Sequence, residues 1–584
     1  MPTLEWIGKS KIVNHHQEVP FRVLERQYSF DENGKHAEDN GSDNMIIHGD
    51  NLEALKALLP QYEGQVKCIY IDPPYNTGEE GWVYNDNVND PKIKKWLGDV
   101  VGKEGEDLTR HDKWLCMMYP RLMLLQKLLS DDGAIFISID DNELYNLKSI
   151  CDEIFGASCF VSNISWQRTY STRNDSKGIV NEVEHILAYS KRPGWNPNKL
   201  PRTAEMDAIY KNPDNDDRPW ASDNPFAPGA VTHQGMVYAI QHPFTGKMIY
   251  PNNSTCWRYQ QDTMLDIMNG WTQYELKDIH DEEERARVCG ISTDEVRRDV
   301  KAIVLVDSLE VASSNALKVL KRGQWPRFYF TKNGKGGIRR KTYIDRVGGR
   351  VPTNLWPYSE VGHTDEAAKQ IKAIFDGKMI FNTPKPSRLV EFVLKIAGSE
   401  DALILDSFAG SGTTAHAVLN MNKADGGRRK FILVEMGDYA DTTTAERVKR
   451  VINGYGEGKN AVEGTGGSFS YYELGERLLL PDGNLNECIG TDKIRDYIWY
   501  TETKKPAVNQ QNGNPYFLGE NNHTAYYFYY EPDQICVLDY AFLSTIPEKA
   551  ESYLIYADRC ALSESDLLRF GITFKKIPRD IARV

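Results

Sequence analysis

Residues 66–75 read Val-Lys-Cys-Ile-Tyr-Ile-Asp-Pro-Pro-Tyr. The apolar run VKCIYI predicts a strand buried on both faces. Asp72-Pro73-Pro74-Tyr75 follows at its carboxyl end, which is where ligands bind in an open α/β sheet. Two prolines fix φ and stiffen the turn. The Pro73 carbonyl is then a directed acceptor beside the Asp72 carboxylate, and an NH2 group presents two donors to match such a pair. Tyr75 offers a flat ring on which a base can stack. Taken alone, the string also fits a rigid surface turn.

Upstream of this stretch, Met45-Ile46-Ile47 predicts a short buried strand. Leu52, Leu55, Leu58 and Leu59 recur at helical spacing, with Pro60 expected to stop the pattern. A helix is predicted over 113–129, a break at Asp132-Gly133, a strand over Ala134 to Ile139 and a helix over 142–155. Strands follow at 159–166 and 183–190. This alternation with short turns implies an α/β, doubly wound sheet. Residues 1–40 read as an irregular, polar extension, and 41–190 as the first part of the core. Residues 191–350, rich in Pro, Asn, Asp, Gly and Trp, break the rhythm and read as an inserted domain. The α/β pattern resumes over 351–453. There a helix at 387–397 precedes a strand at Ala402 to Leu405, and a strand at Lys430 to Val434 precedes a helix at 444–453. Gly454 to Gly467 reads as a linker. Residues 468–584 read as a small α+β module with short strands at 526–530, 535–539, 552–556 and 571–576.

The second chemical motif is Asp406 to Thr414, DSFAGSGTT. It follows a buried strand and opens a helix, whose N-terminus supplies N–H donors. No Lys follows the glycines, so it is not a P-loop, and the third glycine of a dinucleotide fingerprint is missing. As a lone G-x-G it is a weak sign of a nucleotide-like ligand. Further on, the strand KFILV ends in Glu435, an acidic residue placed to accept from ribose hydroxyls.

The chain has 584 residues, which suggests several domains, and a net charge of −13. The acidic average hides a local excess. Eleven basic residues lie between Lys318 and Arg350 against a single acid, Asp345, with Trp325, Phe328, Tyr329, Phe330 and Tyr343 interleaved. This fits either a phosphate-contacting surface or a solvated hairpin. From it, Lys321, Arg322, Arg327, Lys335, Arg339, Arg340 and Lys341 are the candidate phosphate contacts. Nine dispersed cysteines without a C-x-x-C pair fit free thiols in a reducing compartment. The start of the chain lacks an apolar signal-peptide core, and no run of about 18 apolar residues predicts a membrane span. A cytoplasmic location without a membrane partner is the expectation. His15-His16 has no companion at ligand spacing, so no metal site is expected.

The DPPY loop, the F-x-G-x-G turn and the acidic strand end resemble the amino-methyltransferases of DNA. The glycine motif stands after the DPPY motif, an order that resembles the circularly permuted β-class adenine methyltransferases. Further strings are HGDNLEALKALLP (48–60), NPDNDDRPW (212–220), RVPTNLWPYSEVGHTDEA (350–367), NTPKPSRL (382–389) and FKKIPRDI (574–581). Together they resemble the modification subunit of type III restriction–modification systems over nearly the whole chain. The resemblance implies a Rossmann-like sheet and S-adenosylmethionine as cofactor, with no metal required. It further implies double-stranded DNA as substrate, a homodimer, and a helicase–nuclease restriction subunit as partner. It assigns Asp72, Pro73, Pro74 and Tyr75 to the flipped adenine. Phe408, Gly410, Ser411 and Gly412, with Asp406 at their start and Asp72 beside them, form the cofactor pocket. Glu435 takes the ribose, Asp50 lies near the cofactor's adenine, and Lys385 is placed to reach the methionine carboxylate. Residues 191–350 become the target-recognition region. NPDNDDRPW departs from the pattern by lacking a glycine before Pro219, which touches recognition and not chemistry.

A cytosine N4 target would use the same chemistry, although Asp72 with this motif order resembles the adenine group. An orphan or phage-defence methyltransferase, or a non-catalytic specificity subunit, would share much of the sequence. Intact motifs count against the last. The ordinary carboxyl pKa of Asp72, about 4, lies far too low for it to deprotonate an amine before transfer, so it is expected to position the amine.

Overall fold

The computed structural model describes residues 3–77, 110–170, 179–505, 512–547 and 549–579. It divides into two compact units, residues 1–198 with 352–584, and residues 199–351.

The first unit is built on a large sheet. Its strands are β1 (Arg22–Asp31), β2 (Gly34–His36), β3 (Met45–His48), β4 (Val66–Ile71), β5 (Leu129–Ile139), β6 (Phe160–Gln167), β7 (Val183–Ser190), β8 (Leu355–Trp356), β9 (Leu403–Asp406), β10 (Lys430–Glu435) and β11 (Ser468–Arg477). Their spatial order is β8-β6-β7-β5-β4-β9-β10-β3-β11-β1-β2. From β5 across to β11 every neighbouring pair is parallel. The central strands can occupy these places because they are apolar on both faces, as parallel strands covered by helices must be. Ile69, Ile71, Ile404, Leu405, Ile432 and Leu433 are fully buried. Each such side chain contributes about 1.5–3 kcal/mol of burial. The helices α1 (Asn51–Tyr62), α2 (Arg110–Leu128), α3 (Leu144–Ile154), α4 (Ser387–Ala397), α5 (Thr413–Asp425) and α6 (Glu446–Asn453) alternate with these strands. Among the described residues no helix is long and apolar enough to cross a membrane.

Three local expectations are corrected. Residues 1–40 are not irregular, since Arg22–Asp31 is a ten-residue strand paired antiparallel with Ser468–Arg477. Arg22, Glu25 and Arg26 are interspersed with its apolar residues and mask the alternation, and its partner lies far along the chain. Pro60 does not end α1, which runs on to Tyr62. A proline near the end of a helix forfeits a single N–H, and this one is buried. Asp132-Gly133 does not separate helix from strand but sits inside β5, where the register slips between Val66 and Cys68. A Cβ on Gly133 would lie 2.9 Å from the Val66 carbonyl, so glycine suits the irregularity. The Gly454 to Gly467 stretch also contains a small pairing, of Gly454–Tyr455 with Val462–Glu463.

A separate sheet in the same unit carries Phe517–Asn521, Thr524–Phe528, Ser552–Ala557 and Ile572–Lys576. Arg579, from the FKKIPRDI string, is buried there against Asp558 at 2.6 Å and also bonds Glu487 and the carbonyls of Glu531, Pro532 and Gln534.

The second unit has its own aromatic core, in which Trp220, Tyr238, Trp257, Trp271, Phe328 and Phe330 are buried. Its sheets are small. One orders Met248–Ile249, Ile240–Gln241, Ala302–Leu305 and Tyr274–Lys277, and another orders Phe328–Phe330, Ile338–Tyr343 and Trp220–Asp223.

Candidate active site

Four motifs converge because their strands are neighbours. β4, β9, β10 and β3 lie side by side and parallel, so Asp72, the glycine turn, Glu435 and Asp50 all emerge at the same edge. Leu405 registers with Ile69 on one side and Ile432 on the other, and Glu435 registers with His48.

The Asp72-Pro73-Pro74-Tyr75 loop is pinned at both ends. Trp114 of α2 donates from its indole to the Pro74 carbonyl at 2.7 Å. Asn76 adopts a left-handed φ of 58°, which asparagine tolerates, and its amide donates to Glu143 and to the Arg110 carbonyl. Among the described residues no backbone N–H donates to the Pro73 carbonyl. Lys385 donates to both Asp72 oxygens at 2.8 Å and to the Tyr75 hydroxyl at 2.9 Å. The Tyr75 hydroxyl, with one proton to donate, lies 2.9 Å from Asp72 and 3.1 Å from Glu184, on β7. Glu184 lies 3.6 Å from the Lys385 ammonium and accepts from Arg168 at 2.8 Å.

Two carboxylates thus share one ammonium. Burial raises the Asp72 carboxyl above its usual range, and Lys385 only partly offsets it. Burial acts the same way on Glu184, but Lys385 and Arg168 together outweigh it and hold that acid below its range. Burial would lower the pKa of Lys385, yet Asp72 and Glu184 outweigh it and keep the amine protonated.

One strand away, Gly410 and Gly412 take φ of 51° and 81°. A Cβ on Gly412 would fall 3.0 Å from the Thr444 carbonyl oxygen, so backbone approach and φ both call for glycine. The turn is fixed from below by Asp406, which accepts from the Phe408 N–H at 3.0 Å and the Thr414 hydroxyl at 2.6 Å. Burial pushes the Asp406 carboxyl up to about 7 against those two bonds. Glu435 accepts from the Gly410 N–H at 2.7 Å, the Gly437 N–H at 2.8 Å and the Tyr439 hydroxyl at 2.9 Å. Burial nevertheless raises its pKa. Tyr70, Asp72, Thr383, Lys385, Phe408 and Ser411 are among the residues that line one cleft with the glycine turn.

Asp50 stands at the expected edge but is already engaged. It caps α1 by accepting from the Leu52 and Glu53 N–H groups, and its other oxygen faces Arg121 at 3.3 Å. Lys385 lines the cleft, but its ammonium is committed to Asp72 and Glu184. Sequence reasoning missed Glu184, Arg168 and Arg447. Glu184 was hidden as an apparent flanking charge of an apolar strand. Arg447 lies in Glu-Arg-Val-Lys-Arg, which reads as a solvated helix face although its guanidinium is fully buried.

In the second unit the basic stretch splits. Lys321, Arg322, Lys335 and Arg339 are exposed and Arg327 is half-buried. Lys341 is corrected: it is 0% exposed and forms ion pairs with Asp214 and Asp216, so it cannot touch a phosphate. Arg340 is paired with Asp223, which leaves it less free than a solvated contact. The NPDNDDRPW string explains the burial. Asp214 accepts from Lys341, the Trp220 indole and the Trp325 N–H, tying the string to the basic hairpin.

The sheet is that of a doubly wound α/β protein with a cleft at its carboxyl edge, and residues 66–502 match the family model described as DNA methylase. The chain belongs to that family. It is 33% identical over 409 residues to the type III restriction–modification enzyme StyLTI Mod subunit of Salmonella typhimurium strain LT2, covering 68% of this chain and 53% of that one. To the type III restriction–modification enzyme EcoPI Mod subunit of Escherichia phage P1 it is 28% identical over 475 residues, covering 76% and 64%. The chain thus spans about half to two thirds of the length of these curated relatives. Among solved structures, the cytosine-N4-specific PvuII DNA methyltransferase aligns with a TM-score of 0.31 at 13% identity, over 70% of this chain and 86% of that one.

Proposed function

We propose that this chain is an S-adenosylmethionine-dependent DNA methyltransferase acting on adenine N6, and the modification subunit of a type III restriction–modification system. The observation that carries the reading is the Asp72-Pro73-Pro74-Tyr75 loop at the end of β4, its carboxylate fixed by Lys385 and Tyr75, one strand from the glycine turn. The names of the relatives support the biological role. On this reading residues 199–351 recognise the target sequence in double-stranded DNA, the chain works as a homodimer, and a helicase–nuclease subunit is its partner.

The residues fit the cofactor. Glu435 offers a buried carboxylate at the ribose end, and Ser411 and Thr413 offer hydroxyls at the N-terminus of α5, where N–H groups favour an anion. When bound, S-adenosylmethionine supplies an electrophilic methyl group on its sulfonium.

The chain's own residues prepare the acceptor. An adenine amine is a poor nucleophile because its lone pair is delocalised into the ring. Donation of its two N–H groups to Asp72 and to the Pro73 carbonyl favours a pyramidal nitrogen with a directed lone pair. The Asp72 charge stabilises the positive charge that builds on that nitrogen. Although raised, the Asp72 carboxyl remains too acidic to deprotonate a neutral amine, so it accepts a proton only once the nitrogen has become cationic. Glu184 and Arg168 hold Tyr75 and Lys385 in register with Asp72. N6 of a paired base cannot reach such a pocket, so the adenine must leave the stack.

The test is incubation of the purified chain with methyl-labelled S-adenosylmethionine and unmethylated genomic DNA, followed by digestion to nucleosides and mass spectrometry. Labelled N6-methyladenine is the expected product. N4-methylcytosine would overturn the base assignment, and no incorporation into DNA would overturn the activity. Co-purification of a DNA-stimulated ATPase with the chain from its source cells tests the type III assignment.

A further inference from the structure

Arg447 lies on α6 and is 0% exposed. Its guanidinium donates to the Ser411 hydroxyl and the Thr413 hydroxyl, each at 2.8 Å. It also donates to Gln370 at 3.0 Å and faces the His416 imidazole at 3.2 Å. His416 is buried with its pKa held well below 6.5, so it is a neutral neighbour. Among the described residues the bonds of Arg447 go to Ser411, Thr413, Gln370 and His416 and to no carboxylate, and its Nε has no acceptor. Burial brings its pKa down to about 9, with Tyr455 the one opposing influence.

A cation buried without an anion costs several kcal/mol. The other buried cation beside the cleft, Lys385, is already matched by Asp72 and Glu184. Arg447 is not matched, and the two hydroxyls it holds line the cleft. Because both oxygens accept from the guanidinium, their own protons point elsewhere: Thr413 donates to the Lys385 carbonyl at 3.3 Å, and Ser411, 3.3 Å from the Thr413 oxygen, can turn its proton to that oxygen or to the cleft. With Asp72 at the reacting side of the cleft, Ser411 and Thr413 line it at the N-terminus of α5, where an anionic end of the methyl donor is favoured.

We propose that Arg447 is the positioning cation for the cofactor's carboxylate, acting through the hydroxyls of Ser411 and Thr413. The inference rests on reading the cleft as an S-adenosylmethionine site.

The test compares two ligands by calorimetric titration of the full chain: S-adenosylhomocysteine and its decarboxylated analogue, S-adenosyl-3-thiopropylamine. In Arg447→Met the preference for the carboxylate-bearing ligand is expected to fall about tenfold or more. Affinity for the decarboxylated ligand is expected to stay within about twofold. Arg447→Lys should recover part of the preference. Ser411→Ala removes one hydroxyl while leaving the guanidinium, and should show the same selective loss, which keeps the test open if the methionine variant fails to fold. Equal weakening of both ligands, or no change in their ratio, would overturn the inference. Failure of the wild-type chain to bind either ligand would instead overturn the cofactor reading itself.

Discussion

Asp72→Asn isolates the charge of the catalytic loop from its shape. Asp72 accepts from Lys385 at 2.8 Å on each oxygen and from Tyr75 at 2.9 Å. Asparagine keeps the size and one acceptor oxygen, so a target amine can still be held, but the negative charge that stabilises the developing cation is gone. Loss of one preorganised electrostatic partner costs about 10²–10³ in kcat, or about 3–4 kcal/mol. Stability should fall less than in a complete loss of a buried pair, about 3–5 kcal/mol, because Glu184 remains 3.6 Å from the ammonium. The assay is single-turnover methyl transfer to genomic DNA at saturating cofactor, with cofactor affinity measured separately. A rate down by the stated factor with cofactor affinity within about threefold is the expected result. Retention of more than about a tenth of the wild-type rate, or a change confined to KM, would refute the electrostatic role of Asp72.

Other perturbations test other parts of the molecule. Asp406 titrates near 3.8 when exposed and about 7 when folded, so the folded state binds more protons between those values and stability falls as pH rises through them. Asp406→Asn should flatten that slope, worth about 4 kcal/mol across the window, and thermal denaturation from about pH 4 to 7.5 giving equal slopes for both proteins would contradict it. Lys341→Met leaves Asp214 buried without its cation and should destabilise residues 199–351 by about 3–5 kcal/mol, visible as faster hydrogen exchange in 212–220 and 328–343; unchanged exchange would count against the buried ion cluster. Arg339→Ala removes an exposed cation and should weaken DNA binding across all sequences, reducing the slope of log affinity against log salt by about 1, whereas an unchanged slope would take Arg339 out of the DNA contact surface.

The core strands were legible because burial on both faces leaves uninterrupted apolar runs, as in VKCIYI and in KFILV before Glu435. The DPPY loop and the glycine turn were legible because proline and glycine impose backbone constraints that few positions require. β1 was not, since an antiparallel partner more than 400 residues away leaves no local trace and its charges interrupt the alternation. Charge misled in both directions. Lys341 and Arg447 look like solvated residues in sequence, and only tertiary placement shows one inside an ion cluster with Asp214 and Asp216 and the other beneath the glycine turn. Glu184 shows the same limit from the acidic side. Its role depends on β7 running beside β5, which brings a strand-end carboxylate onto Tyr75 and Lys385.

The most direct measurement is modification-sensitive sequencing of DNA from cells that make the chain, beside cells that make Asp72→Ala. The expected result is N6-methyladenine at one recurrent sequence with the wild-type chain and none with the variant. Unmodified DNA in both, or methylation that persists without Asp72, would contradict the assignment of Asp72-Pro73-Pro74-Tyr75 as the catalytic loop.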